Sequence, residues 1–285
     1  VSSYKRAMAI RNGIQDTAPE FVADRVKGNV KLAQVLTAQG DFKGADEQYQ
    51  LAFATAMKGP ASGSVEVRDA LENAYGAFGD LKIRIGRHGE AVEPYQKLLA
   101  LSEQLAKELK RDPTTDRDLS LAYTKLGDVL GRIDRYQEAL PHLRKAIDID
   151  RKVSEAAPQS LPLMRKLFVD YNMIGRIFRS RAGPTLDRGG EAKIYLEAAV
   201  ELGEKMIAVD PDNTLALSDA AMAEDALGDW LSNGSTPSAS LPVYRKALEN
   251  VDRMVKGRPL AGNEDYLIQT NQRMAHGLVM SGKAE

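Results

Sequence analysis

The sequence predicts an all-α, right-handed superhelical solenoid of about five helical hairpins flanked by single helices. Three observations predict it. A small residue recurs on a first helix at Ala33, Gly79, Gly127, Gly175, Gly228 and Gly277, at steps of 46, 48, 48, 53 and 49. A second small residue follows at Ala45, Ala91, Ala139, Ala192 and Ser240, 12 residues later in four repeats and 17 later in the fourth. Proline punctuates the units at Pro19, Pro60, Pro113, Pro158, Pro211 and Pro259. A period this regular means stacked copies of one supersecondary unit.

Taken in order, the expected helices are 2–17, 21–39, 42–57, 64–86, 88–111, 115–133, 136–156, 160–181, 189–209, 213–231, 238–256 and 262–281. They pair into repeats over 21–57, 64–111, 115–156, 160–209 and 213–256, within one solenoid spanning 1–285. The second helices share a register: Tyr49-x-x-Ala52, Tyr95-x-x-Leu98, Leu143-x-x-Ala146, Leu196-x-x-Ala199 and Tyr244-x-x-Ala247. Tyr4-Lys-Arg-Ala7 falls in the same register, so 2–17 reads as a second helix and 262–281 as a lone first helix. The start inside a repeat carries the expectation that the natural protein continues upstream. Asp112-Pro113 and Asp210-Pro211 read as N-caps followed by proline in the first helical position, where no backbone N–H is needed. Pro94, Pro141 and Pro242 fall near the starts of second helices, where the same tolerance is expected.

The stretch from Tyr123 to Ile149, YTKLGDVLGRIDRYQEALPHLRKAIDI, shows what each position does. Leu126 and Leu130 lie one turn apart on one helix face. Gly127 and Ala139 have almost no side chain, so the second helix can approach closely, and Leu143 and Ala146 face back from it. An aromatic-x-x-Leu-Gly-x-x-large unit followed by Ala-x-x-x-large resembles the tetratricopeptide repeat. The period near 48 exceeds that family's usual length, and the excess reads as longer helices, since Ile147, Ile149 and Val153 keep a helical pattern.

Composition excludes several classes. With 43% hydrophobic residues the chain can bury a sizeable core, and a net charge of −1 gives no global field for nucleic acid or an anionic membrane. Having no cysteine, it can form no disulfide, thiolate metal site or cysteine nucleophile. No apolar run is long enough to span a membrane, and no basic-then-apolar leader is visible. His88, His142 and His276 form no metal-ligand pattern, and His88 and His142 are expected as polar surface residues at the starts of second helices. There is no phosphate loop and no dinucleotide fingerprint, so no cofactor, metal or catalytic residue is assigned.

The chemistry lies instead in the groove. In a tetratricopeptide superhelix the first helices line the concave surface, and residues near the packing glycine point into it. Those offsets select Gln34 and Thr37; Asp80 and Arg84; Thr124, Asp128 and Arg132; Asn172, Arg176 and Arg179; and Asp225, Asp229 and Asn233. The arginines of successive repeats can hold a carboxylate or an acidic peptide, and Asp80 and Asp128 can equally pair with them and silence them. Two of Asp80, Asp128, Asp225 and Asp229 within about 5–10 Å would instead suit a hydrolase. The loops 181–190 and 232–240 are the least regular segments, and Trp230 is expected to pack.

The segments YKRAMAIRNGIQDTAPE, LAYTKLGDVLGRIDRYQEALPHLRKAIDIDRKVSEAAP and MIAVDPDNTLALSDAAMAEDALGDW also resemble the long repeats that follow the kinase domain in some bacterial serine/threonine protein kinases. That resemblance implies a sensory or docking region of a larger protein, cytoplasmic or on the far side of a membrane, fused to an upstream kinase domain; no kinase motif is present here. The family's clamp for chaperone C-termini uses Lys and Asn, whereas the matching places hold Val30, Gln34, Gly76 and Asp80. The expected function is a non-catalytic scaffold for a peptide or protein partner.

Overall fold

The computed structural model describes residues 17–58, 60–109, 113–180, 190–234, 237–257 and 263–282, together with Arg6. The expected helix 2–17 and the loop before Gly190 lie outside the described residues, apart from Arg6, Thr17 and Gly190 itself. Among the described residues there is no strand, and the helices are α1 (Pro19–Ala38), α2 (Phe42–Ala56), α3 (Val65–Arg84), α4 (His88–Glu108), α5 (Pro113–Arg132), α6 (Tyr136–Ala156), α7 (Leu161–Phe178), α8 (Glu191–Val209), α9 (Thr214–Ser232), α10 (Ser240–Gly257) and α11 (Asn263–Met280). This is an all-α helical-repeat fold. Contacts divide it into two units, Val1–Ile149 and Asp150–Glu285.

Local chemistry sets the helix ends. Asp41 caps α2 by accepting from the Gly44 N–H, and Ser64 caps α3 by accepting from that of Val67. The turn from a first to a second helix has one design in the first unit. Gly40, Gly86 and Asp134 each take a positive φ, of 81°, 76° and 62°. Each is followed by a six-to-one bond: Asp41 N to Leu36 O, Arg87 N to Lys82 O and Arg135 N to Leu130 O, at 3.0, 2.8 and 2.9 Å. That is the left-handed helix stop that glycine enters without strain.

Two expectations about proline are corrected. Asp210-Pro211 does not cap α9; Asn213 does, its side chain accepting from the Leu215 and Ala216 N–H groups, while Pro211 sits in the preceding turn. Pro94 and Pro141 lie inside α4 and α6, beyond the first turn, so each removes one intrahelical bond. Pro242 stands within the first turn of α10, as expected.

Each second helix crosses its first helix at a small residue, Ala33 in α1 and glycine in α3, α5, α7 and α9. A Cβ placed on Gly127 would lie 2.6 Å from Leu143 Cγ, and one on Gly175 2.8 Å from Leu196 Cδ2. Gly79 and Gly228 face the rings of Tyr95 and Tyr244 in the same way. Opposite them Ala45, Ala91, Ala139, Ala192 and Ser240 are fully buried. In the first unit Tyr49, Phe53, Tyr75 and Phe78 add an aromatic cluster. In the second, Trp230 packs against Leu196, Ala226 and Leu227, as expected.

The last marker is also corrected. Gly277 meets Ser240 and Tyr244 of the preceding α10. It therefore does not occupy the place held by Gly79, Gly127, Gly175 and Gly228. His142 differs as well: it is half-buried, its ring stacked on Tyr123 with centroids 6.0 Å apart. Burial, and then Lys145, push its pKa down.

Candidate groove on the first-helix face

In the first unit two clefts open on the faces of α1, α3 and α5. One, of about 370 Å³, is lined by α1 and α3, with Lys27, Lys31, Gln34, Ala70 and Asn73 among its walls. The other, of about 300 Å³, runs from Gln34 through Asp69, Asn73, Ala77 and Asp80 to Asp118, Leu121 and Lys125. Gln34 and Asn73 line both, so the two are contiguous. An ion pair of 2.9 Å between Lys27 and Asp69, both about half exposed, ties α1 to α3 along this face. Leu121 is 42% exposed there, off the apolar stripe of its own helix.

The sequence-selected residues of this unit occupy different settings. Asp80 lines the second cleft and accepts from Tyr95 at 2.7 Å and from Lys125 at 2.5 Å. Burial, and then Asp80, push the Tyr95 hydroxyl pKa well up, so it stays a donor. Arg84 is exposed and has no side-chain partner among the described residues. Thr124 is buried and donates to the Ser120 carbonyl at 3.0 Å. Asp128 and Arg132 pair one turn apart at 2.6 Å. The lysine–aspartate and arginine–aspartate pairs are thus local neutralisations.

In the second unit Arg179, Asp225 and Asp229 come together with α10 and α11. Asp229 accepts from Tyr244 at 2.9 Å and from Arg273, while Arg179 stands 3.9 Å away. Asp225 is buried, accepts from Thr270 at 2.9 Å and lies 3.8 Å from Arg273. Burial raises its pKa to about 6, and burial lowers that of Arg179. Arg176 is exposed. The Asn172 amide nitrogen is buried without a partner. Asp225 and Asp229, one turn apart on α9, satisfy the spacing condition for a carboxylate pair, but both are bonded to α11, and neither lines any cleft described here.

The second unit has its own cleft on first-helix faces, of about 490 Å³. Leu161, Pro162, Arg165 and Val169 of α7 face Leu215, Ala216 and Asp219 of α9 across it, with Met206 of α8 contributing. Arg165 bonds Asp219 at 2.7 Å, and Leu215 is half exposed. A larger depression of about 770 Å³ lies elsewhere, between the end of α6, α7 and α8.

Sequence offsets missed the N-terminal half of the lining. Lys27, Asp69, Asn73, Asp118, Leu121 and Lys125 all precede the packing residue of their helix. Leu121 carried the available signal, as an apolar residue out of phase with Leu119, Ala122 and Leu126. Among the described residues no group of three His, Asp or Glu side chains could hold a metal ion, and no helix is long and apolar enough to cross a membrane.

The tetratricopeptide repeat family profile matches residues 121–153, which spans most of α5 and α6. No curated protein matches the chain. Among solved structures, BtubC (BKLC) from P. vanneervenii is similar at a TM-score of 0.59 and 18% identity, over 90% of this chain and 89% of that one. A Podosopora anserina protein with nearly identical TPR-like repeats gives 0.53 and 15%, over 86% of this chain and 100% of that one. At such identities the likeness is one of fold: stacked tetratricopeptide-type helical hairpins.

Proposed function

We propose that this chain is a non-catalytic protein-interaction scaffold that holds a peptide or partner protein along the first-helix faces. The observation that carries it is the contiguous pair of clefts over α1, α3 and α5. It offers the Gln34 carboxamide and the remaining hydrogen-bonding capacity of Asn73, an exposed leucine and charges of both signs, which is the mixture a peptide groove needs. The conspicuous carboxylates elsewhere are bonded between helices, which supports structural rather than catalytic roles for them. Arg84, exposed and without a side-chain partner among the described residues, is available in this reading as a flanking contact for an acidic side chain of the ligand. The segments similar to post-kinase repeats support a narrower version, a regulatory region of a larger signalling protein, which a kinase domain encoded upstream in the same gene would test.

A displayed random-peptide library selected on the purified protein tests the main reading. Enriched peptides should bind the wild type and lose about tenfold or more in affinity to Asn73→Arg or Leu121→Arg, which fill the clefts from exposed positions. Peptides that bind both variants as well as the wild type would move the site off this face.

A further inference from the structure

Two hairpins treat the tyrosine four places before the packing glycine alike. Lys97 of α4 stands over the Tyr75 ring and Lys145 of α6 over that of Tyr123, 5.4 and 5.0 Å from the centroids. The Tyr123 hydroxyl also donates to Glu103 of α4 and accepts from Lys145 at 3.3 Å. Each lysine lies six places after the small residue of its helix, and Glu103 lies twelve after Ala91.

The hairpin of α7 and α8 departs from this. Tyr171 holds the same place before Gly175, and Tyr195 faces its ring at 6.2 Å as His142 faces Tyr123 at 6.0 Å, which fixes the equivalence. Six places after Ala192 stands Ala198, and twelve after Ala139 stands Arg151. The tyrosine hydroxyl therefore has neither neighbour: an alanine methyl stands for the donor and a guanidinium for the acceptor. Tyr171 is 7% exposed, and its hydroxyl has no partner among the described residues. Ser154 of α6, 8% exposed, adds a second unbonded side-chain hydroxyl where α4 carries Ala106.

Both hydroxyl residues line the cavity of about 770 Å³ between the end of α6, α7 and α8, and so do Ala198 and Arg151. Ala198 leaves open the space that a lysine fills in α4 and α6. Met164 and Leu167 share a face of α7 with Tyr171 and, with Leu202 of α8, make an apolar floor. The charges at the walls, Arg151 and Lys205 against Glu155 and Glu201, sum to zero, and Lys205 is paired with Glu201 at 2.7 Å. Neither an anion nor a cation is drawn in. The volume falls within the range of about 300–1,000 Å³ usual for small-molecule sites. A buried hydroxyl without a partner is costly. A ligand hydroxyl, which donates and accepts, would answer Tyr171 as Glu103 and Lys145 answer Tyr123.

We propose that this cavity binds an uncharged small molecule with an apolar ring body and a hydroxyl group, the body on Leu167 and Leu202 and the hydroxyl towards Ser154 and Tyr171. The site shares no lining residue with the clefts on the first-helix faces, so it stands independently of a peptide held there.

Equilibrium dialysis of 2-naphthol against the purified full chain tests this. The control is 2-methylnaphthalene, which carries a methyl in place of the hydroxyl. The wild type should take up one 2-naphthol per chain, saturably. Ala198→Lys restores the side chain that Lys145 supplies in the preceding hairpin and should weaken both compounds about tenfold or more. Ser154→Ala/Tyr171→Phe removes two oxygens and little volume. It should weaken 2-naphthol about fivefold and leave 2-methylnaphthalene unchanged. Circular dichroism checks that both variants are folded. A wild type that shows no saturable uptake of 2-naphthol overturns the proposal and leaves the cavity to water or a protein side chain. Binding that Ala198→Lys does not weaken overturns it by placing the site elsewhere. Equal losses of the two compounds in Ser154→Ala/Tyr171→Phe, or no loss of either, overturn it in favour of an apolar slot that reads no hydroxyl.

Discussion

Tyr244 donates its hydroxyl to Asp229 at 2.9 Å, and the same bond joins Tyr95 to Asp80 at 2.7 Å. In both hairpins the tyrosine ring passes over the packing glycine and its oxygen reaches the aspartate that follows. Where the second helix offers Leu143 instead, Asp128 accepts from Arg132. A hydrogen bond to a charged partner is worth about 1.5–3 kcal/mol. Tyr95→Phe and Asp80→Asn, alone and combined, should give a coupling of about 1–2 kcal/mol in chemical denaturation, after allowance for the exposure of Asp80. A coupling near zero would reduce the bond to a bystander of ring packing.

Gly127→Leu should destabilise the first unit by about 1–3 kcal/mol, since the added side chain meets Leu143 and forces the helices apart. Thermal denaturation followed at 222 nm, a wavelength that reports helix, is the measurement. Melting at the wild-type temperature would mean that the crossing tolerates a wider gap.

Asp134 stands at φ 62°, where the equivalent turns use Gly40 and Gly86. Asp134→Gly should raise stability by up to about 1 kcal/mol, because glycine enters the left-handed region without a Cβ penalty. Loss of the Tyr136 contact to the Asp134 carboxylate opposes this. A drop in stability would assign that contact the larger share.

Burial holds the Glu224 carboxyl up to about 7 and that of Asp225 up to about 6. Both folded values exceed the unfolded ones, so the folded chain binds these protons more tightly. Stability should therefore rise as pH falls from about 8 towards about 5, through the folded and towards the unfolded values. Calorimetry across that range should show the second unit melting higher at the acidic end. Glu224→Gln, which keeps an acceptor for Asn250 without the charge, should stabilise the protein by about 1–2 kcal/mol at pH 8 and flatten the profile. An unchanged profile would place the titration elsewhere.

The fold was legible because crossing positions are severe. Gly79, Gly127 and Gly228 admit no side chain, and Ala139 or Ala192 little more, so the markers survive with no other cue. Gly277 misled because glycine alone does not state which neighbour it faces; only Arg273 on Asp229 and Thr270 on Asp225 reveal the true register. The groove was half legible. Asp80 lines it, but Thr124 turns inward and Lys125 outward, a difference of one position that periodicity does not resolve. His142 shows the same limit, since what buries it is Tyr123 on another helix. Pro94 and Pro141 show that neighbouring helices outweigh one lost backbone bond.

Gln34 and Asn73 stand where the two clefts of the first unit meet. Asn73 spends one amide hydrogen on the Asp69 carbonyl, and Gln34 has no side-chain partner among the described residues. Carboxamides offer donor and acceptor together, which is what an extended main chain presents in return. A polypeptide laid through this junction would be held by its backbone, whatever its side chains. Selectivity would then fall to the flanks, where Lys31 and Asp118 read charge on either side of a sequence-blind grip.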